Sequence, residues 1–130
     1  MNVSAHSKPD CSFSRAERLT SKIKIEELFK KGSSFRLKKI QIILLSKHSK
    51  QDRKVLISVP KKNHKTAVNR NRIKRIIREV YRKNKGNINV GDRGYLMAII
   101  YLGKSIPNFI ELEEQLINLF KRLALSLIHI

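Results

Sequence analysis

Ala67-Val-Asn-Arg-Asn-Arg-Ile-Lys-Arg-Ile-Ile-Arg-Glu-Val-Tyr-Arg82 carries two patterns at once. Read as a helix, it places Ile73, Ile76, Ile77, Val80 and Tyr81 at i, i+3, i+4, i+7 and i+8, the period of a helix buried along one stripe. Asn71, Arg75, Arg78 and Arg82 fall on the opposite side, with Lys74 beside them. A helix that needed only a solvated face would intersperse Glu and Asp there, for i,i+4 pairing and solubility. From Lys61 to Lys85 there are instead eleven Lys or Arg and one acid, Glu79. Like charges at that density repel one another until a polyanion neutralises them, so this face suits phosphates.

The remainder of the chain agrees. A formal net charge of +19 over 130 residues, with a pI near 10.6, argues for nucleic acid or, less often, an anionic membrane surface. Hydrophobic residues make up 41%, enough for an ordinary core. The length suits one domain, expected over residues 14–130 behind a flexible polar tail at 1–13. Cys11 stands alone and the four histidines are scattered. Neither a disulfide within the chain nor zinc spacing is available, which fits a reducing, cytoplasmic setting. Residues 1–13 lack the apolar stretch of a signal peptide. The longest apolar run, Tyr95 to Leu102, falls far short of the roughly twenty residues that span a bilayer. The expectation is a soluble protein with no membrane partner.

Working outward from the Arg-rich segment, Thr20 or Ser21 is an N-cap for a first helix whose apolar positions are Ile23, Ile25, Leu28 and Phe29, stopped at Gly32. Lys39 to Ser46 and Arg53 to Val59 are rich in β-branched residues and read as strands, the second halted by Pro60. Their proximity along the chain suggests an antiparallel hairpin. A short additional strand fits near Ser33 to Leu37. Lys61 to Lys65 is a basic loop leading into the helix at about Thr66 to Lys83. Tyr95 to Leu102 shows no polar alternation, so it is expected to be central or covered on both faces. A last helix runs from Phe109 to about Leu127, with Leu112, Leu116, Ile117, Phe120, Leu123, Ala124 and Leu127 on one broad face. The order predicts a two-layer α/β sandwich, helices packed on a small, mainly antiparallel sheet.

Catalytic constellations are poorly supplied. Ten acids serve the whole chain, and none are paired convincingly for metal-assisted phosphodiester hydrolysis. Glu111, Glu113 and Glu114 sit where a helix start favours acids, and Asp92 lies in a Gly-rich turn. Basic residues beside aromatics are the stronger signal. Phe29, Phe35 and Tyr81 are candidate stacking platforms for a single strand, although helical spacing favours the core for Tyr81. The predominance of Arg over Lys on the helix suits bidentate phosphate contacts and folded RNA. A helix in the DNA major groove stays open, without a helix-turn-helix, zinc or zipper scaffold to present it.

The run Ala67-Val68-Asn69-Arg70-Asn71-Arg72-Ile73-Lys74-Arg75-Ile76-Ile77-Arg78-Glu79 resembles the signature of the protein subunit of bacterial ribonuclease P. Arg18-Leu19 with Leu28-Phe29 and Gly32, and Ile57-Ser58-Val59-Pro60-Lys61-Lys62, extend the similarity over about Phe13 to Leu127. The resemblance implies an α/β sandwich with a left-handed βαβ crossover, against the general right-handed preference. It implies one protein per catalytic RNA, which uses bound Mg²⁺ to cut the 5′ leader from precursor tRNA. The protein holds no cofactor of its own in this picture; it binds the leader and stabilises the active RNA conformation. Carried across, Arg70, Asn71, Arg72 and Arg75, with the loop lysines Lys61, Lys62 and Lys65, would contact the catalytic RNA. Phe29, Lys74 and Arg78 would lie at the leader. Ile25 and Ile43 stand where relatives often carry aromatics, which shifts leader binding towards electrostatics. A structural ribosomal-type RNA-binding protein, with no role in cleavage, is the rival reading; it shares charge and size but does not predict the Arg-Asn-Arg helix.

Overall fold

The computed structural model describes residues 15–88 and 93–128; the tail expected at 1–13, Cys11 and Asp92 lie outside the described residues. Three helices, α1 (Lys22–Lys31), α2 (Ala67–Asn84) and α3 (Phe109–Ile128), accompany four strands: β1 (Ser33–Leu37), β2 (Ile40–Lys47), β3 (Lys54–Ser58) and β4 (Gly94–Tyr101). The strands form one sheet in the order β1-β2-β4-β3.

β4 occupies the interior of that order, as its unbroken apolar run requires. Seven of its eight residues are buried. Successive side chains of a strand point to opposite faces, so Tyr95, Met97, Ile99 and Tyr101 join one core cluster while Leu96 and Ala98 join another. The larger cluster contains Ile73, Ile77, Val80 and Tyr81 of α2 and Leu112, Leu116, Leu119, Phe120 and Leu123 of α3. The smaller one holds Leu19 and Leu28, with Ile25, Ile43, Leu45 and Leu56 packed against it. The expected α/β sandwich is thus formed by α2 and α3 on one face, and α1 covers part of the other.

The hairpin expected between β2 and β3 is not formed. β4 inserts between them, antiparallel to β2 (Ile42 opposite Ile99) and parallel to β3 (Ile57 opposite Ile99). The physical reason lies in β4: a strand apolar on both faces is best served by a neighbour on each edge, and β2 and β3 supply them. A parallel β3–β4 pair requires a long crossover, and α2 is that crossover. The true hairpin is β1–β2, with Leu37 opposite Ile40. It turns at Lys38, whose φ of 55° is left-handed without being glycine. Lacking an Asn-Gly or Asp-Gly signal, that turn leaves only a faint trace in the sequence, and the short strand at Ser33 to Leu37 is borne out as β1.

Gly94 starts β4 where no side chain fits. A Cβ there would stand 2.0 Å from the Ser49 carbonyl oxygen and 3.2 Å from the Asp52 Cβ. Gly94→Ala is therefore expected to destabilise by about 1–3 kcal/mol, the usual cost of overpacking, as measured by urea denaturation.

Candidate nucleic-acid interface

Thr66 begins α2: its Oγ1 accepts the Asn69 N–H at 3.2 Å, satisfying one donor of the open first turn. Burial then fixes the rotation of the helix. Tyr81 is 1% exposed, packs edge-on against Phe120 at 6.2 Å, and shares a 2.9 Å hydroxyl hydrogen bond with Tyr95. Desolvation first, then Tyr95, pushes the Tyr81 phenol well above its ordinary range. Tyr81 is a core residue and no stacking platform. At the far end the Asn84 side-chain amide is buried and donates to the Val80 carbonyl at 2.9 Å and to the Glu113 carboxylate at 3.0 Å, tying α2 to α3.

With the apolar stripe fixed inward, the cations are turned outward. Asn71, Arg72 and Arg75 are exposed, and Lys74 and Arg78 are half-buried. Among the described residues none of Arg72, Lys74, Arg75 and Arg78 has a carboxylate partner. The one acid of the helix, Glu79, is engaged by Arg82 through two hydrogen bonds of 2.9 and 2.7 Å. That contact holds its carboxyl below the usual range. Burial, followed by the Arg18 and Arg75 charges, shifts the Arg78 guanidinium downward, so like charges crowd here.

Lys74 and Arg78 come together over a shallow groove of about 170 Å³, shared with Arg18, Thr20 and residues 55–57 of β3. Leu19 is buried and its N–H bonds the Val55 carbonyl at 2.9 Å, so residues 18–19 extend the sheet edge and carry Arg18 to the groove. Sequence reasoning did not assign Arg18 or Thr20 to a site. The available signal was Leu19, an apolar residue anchored amid polar neighbours. Phe29 does not line this groove: it stands 48% exposed on α1. Phe35 packs against the larger core, and Ile25 and Ile43 pack against the smaller one.

The loop before α2 leaves Lys61, Lys62 and Lys65 exposed. Arg70 differs from the other arginines. Its Nη1 donates to the main-chain carbonyls of His64 at 2.8 Å and Lys65 at 3.0 Å, so its guanidinium folds back onto the loop. Among the described residues no group of three or more His, Cys, Asp or Glu gathers where a metal ion could be held. No described helix is long and apolar enough to cross a membrane.

Fold and charge together define a small, strongly basic α/β protein whose cations gather along one helix and its leading loop. The family model for Ribonuclease P matches residues 13–124, and the chain belongs to the ribonuclease P protein component family. It is 32% identical over 124 residues to the ribonuclease P protein component of Porphyromonas gingivalis, covering 91% of this chain and 90% of that protein. The Thermotoga petrophila protein of the same name is 33% identical over 117 residues, covering 86% of this chain and 96% of that one. Among solved structures, the RNase P protein of Thermotoga maritima superposes with a TM-score of 0.66 at 29% identity, over 82% of this chain and 96% of that one. That of Staphylococcus aureus gives 0.67 at 25% identity, over 84% and 96%. The chain is therefore a component of an endoribonuclease with an RNA partner in its ribonucleoprotein.

Proposed function

We propose that this protein binds one catalytic RNA and helps it remove the 5′ leader of precursor tRNA in the cytoplasm, the RNA carrying the chemistry. Residues 14–130 act as a single RNA-binding domain. The observation that carries the reading is the set of helix cations, Arg72, Lys74, Arg75 and Arg78, with no carboxylate partner among the described residues. Cations with no carboxylate partner are ready to take phosphates, and the planar guanidinium of the three arginines takes them bidentately.

Asn71, Arg72 and Arg75 on the exposed side of α2, with Arg70 and the loop lysines Lys61, Lys62 and Lys65, form the surface for the catalytic RNA. Lys74 and Arg78 take leader phosphates at the groove beside Arg18. Half-exposed Phe29 on α1 offers the leader a stacking face, and the aliphatic Ile25 and Ile43 add none, so charge carries more of leader binding. Mg²⁺ belongs to the RNA on this reading. The described residues gather no group of three or more His, Cys, Asp or Glu that fits the ion.

The test adds the full-length protein to the catalytic RNA at low Mg²⁺ and follows leader release. Stimulation is expected, and no cleavage by protein alone. Absence of stimulation, with tight binding to ribosomal RNA, would instead support a ribosomal-type structural role. Arg72→Ala should weaken binding to the catalytic RNA and lower the slope of log affinity against log salt by about 1, the signature of one lost phosphate contact. Its effect on thermal stability should be small, within about 0.5 kcal/mol, because the side chain is exposed.

A further inference from the structure

The first arginine of the Arg-Asn-Arg run is built differently from the second. Arg72 is exposed, whereas Arg70 is half-buried and donates to two consecutive loop carbonyls, His64 O and Lys65 O. The same loop is tied down from its other side. The His64 ring is 5% exposed, lies stacked near Tyr101 with ring centroids 6.1 Å apart, and places Nε2 2.7 Å from the Gly103 carbonyl oxygen. A carbonyl oxygen only accepts, so the ring carries a proton on Nε2 and donates it there. Asn63 adds a side-chain donation to the Leu102 carbonyl at 3.3 Å. Gly103 and Leu102 follow directly on β4, the most buried strand of the sheet. The loop is thereby fastened at one side to the sheet and at the other to the first turns of α2, while Lys61, Lys62 and Lys65 stay exposed.

We propose that Arg70 and His64 are positioning residues: they brace the 61–65 loop before RNA arrives, so that its lysines and the helix cations present one pre-formed phosphate-binding surface. The benefit is entropic. A loop carrying three lysines, left loose, must be ordered when it binds, and that ordering subtracts from affinity. A guanidinium bonded to two carbonyls removes the ordering step without making a contact to RNA. The proposal rests on the RNA-binding reading above and changes what Arg70 contributes to it, from a phosphate ligand to the part that sets the loop.

Hydrogen exchange in the free, full-length protein and affinity for the RNA subunit test it together. Arg70→Ala should speed exchange of the loop's Asn63 amide, which donates to the Pro60 carbonyl at 3.2 Å, by about tenfold, as expected when the net worth of one or two hydrogen bonds is removed from a local opening equilibrium. Arg72→Ala should leave that exchange unchanged. His64→Phe, which keeps a ring beside Tyr101 but has no donor for Gly103 O, should raise it as Arg70→Ala does. A cycle with Lys61→Ala/Lys62→Ala supplies the second arm. The cost of Arg70→Ala to RNA affinity should shrink by at least half once those lysines are gone, because a brace matters only while there is something to place. The cost of Arg72→Ala should persist. Unchanged loop exchange in Arg70→Ala, or full additivity with the lysine replacements, would overturn the brace and make Arg70 a direct phosphate ligand. If Arg72→Ala and the lysine replacements all left RNA affinity untouched, the RNA-binding surface itself would be misassigned, whatever the exchange data gave.

Discussion

Replacing Ile77 by Asp is expected to leave the chain largely unfolded at room temperature. Ile77 has no exposed surface and lies in the larger core, where α2 meets the sheet and α3. A carboxyl group placed there loses its hydration and finds apolar neighbours, at a cost of several kcal/mol whether it stays ionised or takes up a proton. The isoleucine's own burial, roughly 1.5–3 kcal/mol, is lost as well. Domains of this size are stable by only about 5–15 kcal/mol, so the sum consumes most of the margin. Circular dichroism should show loss of the cooperative thermal transition, and the RNA subunit should restore it only in part, by binding the residual native fraction. Arg72→Ala, five residues earlier on the same helix, serves as the contrast. Should it prove as damaging to folding as Ile77→Asp, the inward and outward sides of α2 would be assigned wrongly.

That contrast is legible in the sequence, because helical periodicity and the one-sided placement of charge are both local signals. The period sorted Ile73, Ile76, Ile77, Val80 and Tyr81 inward; four are buried, and Ile76 is partly buried against the same core. The Ser21 cap of α1 and the central position of β4 were legible for the same reason, one in a capping residue and the other in a run without alternation. Pairing was not. Whether β2 joins β3 or β4 depends on which edge of a distant strand needs covering, and nothing between Ser46 and Arg53 records that. The β1–β2 turn stayed faint because Lys38 adopts a left-handed conformation that its residue type does not advertise. Within the site, composition counted arginines without distinguishing them. Arg70 and Arg72 are chemically identical and two positions apart, yet a 100° step per residue puts Arg70 within reach of the loop carbonyls and Arg72 in solvent. Arg18 was missed as a groove residue because its placement follows from Leu19 bonding to the edge of β3, a contact across 36 positions of chain.

Assembly with the catalytic RNA is expected to depend steeply on salt. The surface proposed here offers Lys61, Lys62 and Lys65 in the loop and Arg72, Lys74, Arg75 and Arg78 on the helix, beside Arg18. Seen from the RNA, each phosphate neutralised releases condensed counterions, and their release is favoured in proportion to how dilute the salt already is. For about six to ten phosphates neutralised, affinity should fall roughly 10³ to 10⁵-fold between 50 and 200 mM salt. Like charges on α2 make the free protein part of the same balance. Arg78, pressed downward by burial and by the Arg18 and Arg75 charges, is less crowded once an anion sits among them. Higher salt relieves that repulsion in the free state too, which weakens the gain on binding further. Titrating the complex by fluorescence anisotropy at four or five salt concentrations gives the slope directly. A slope corresponding to one or two phosphates would mean that most of these cations face solvent in the complex, and the helix would then be held to its RNA chiefly by shape and apolar contact.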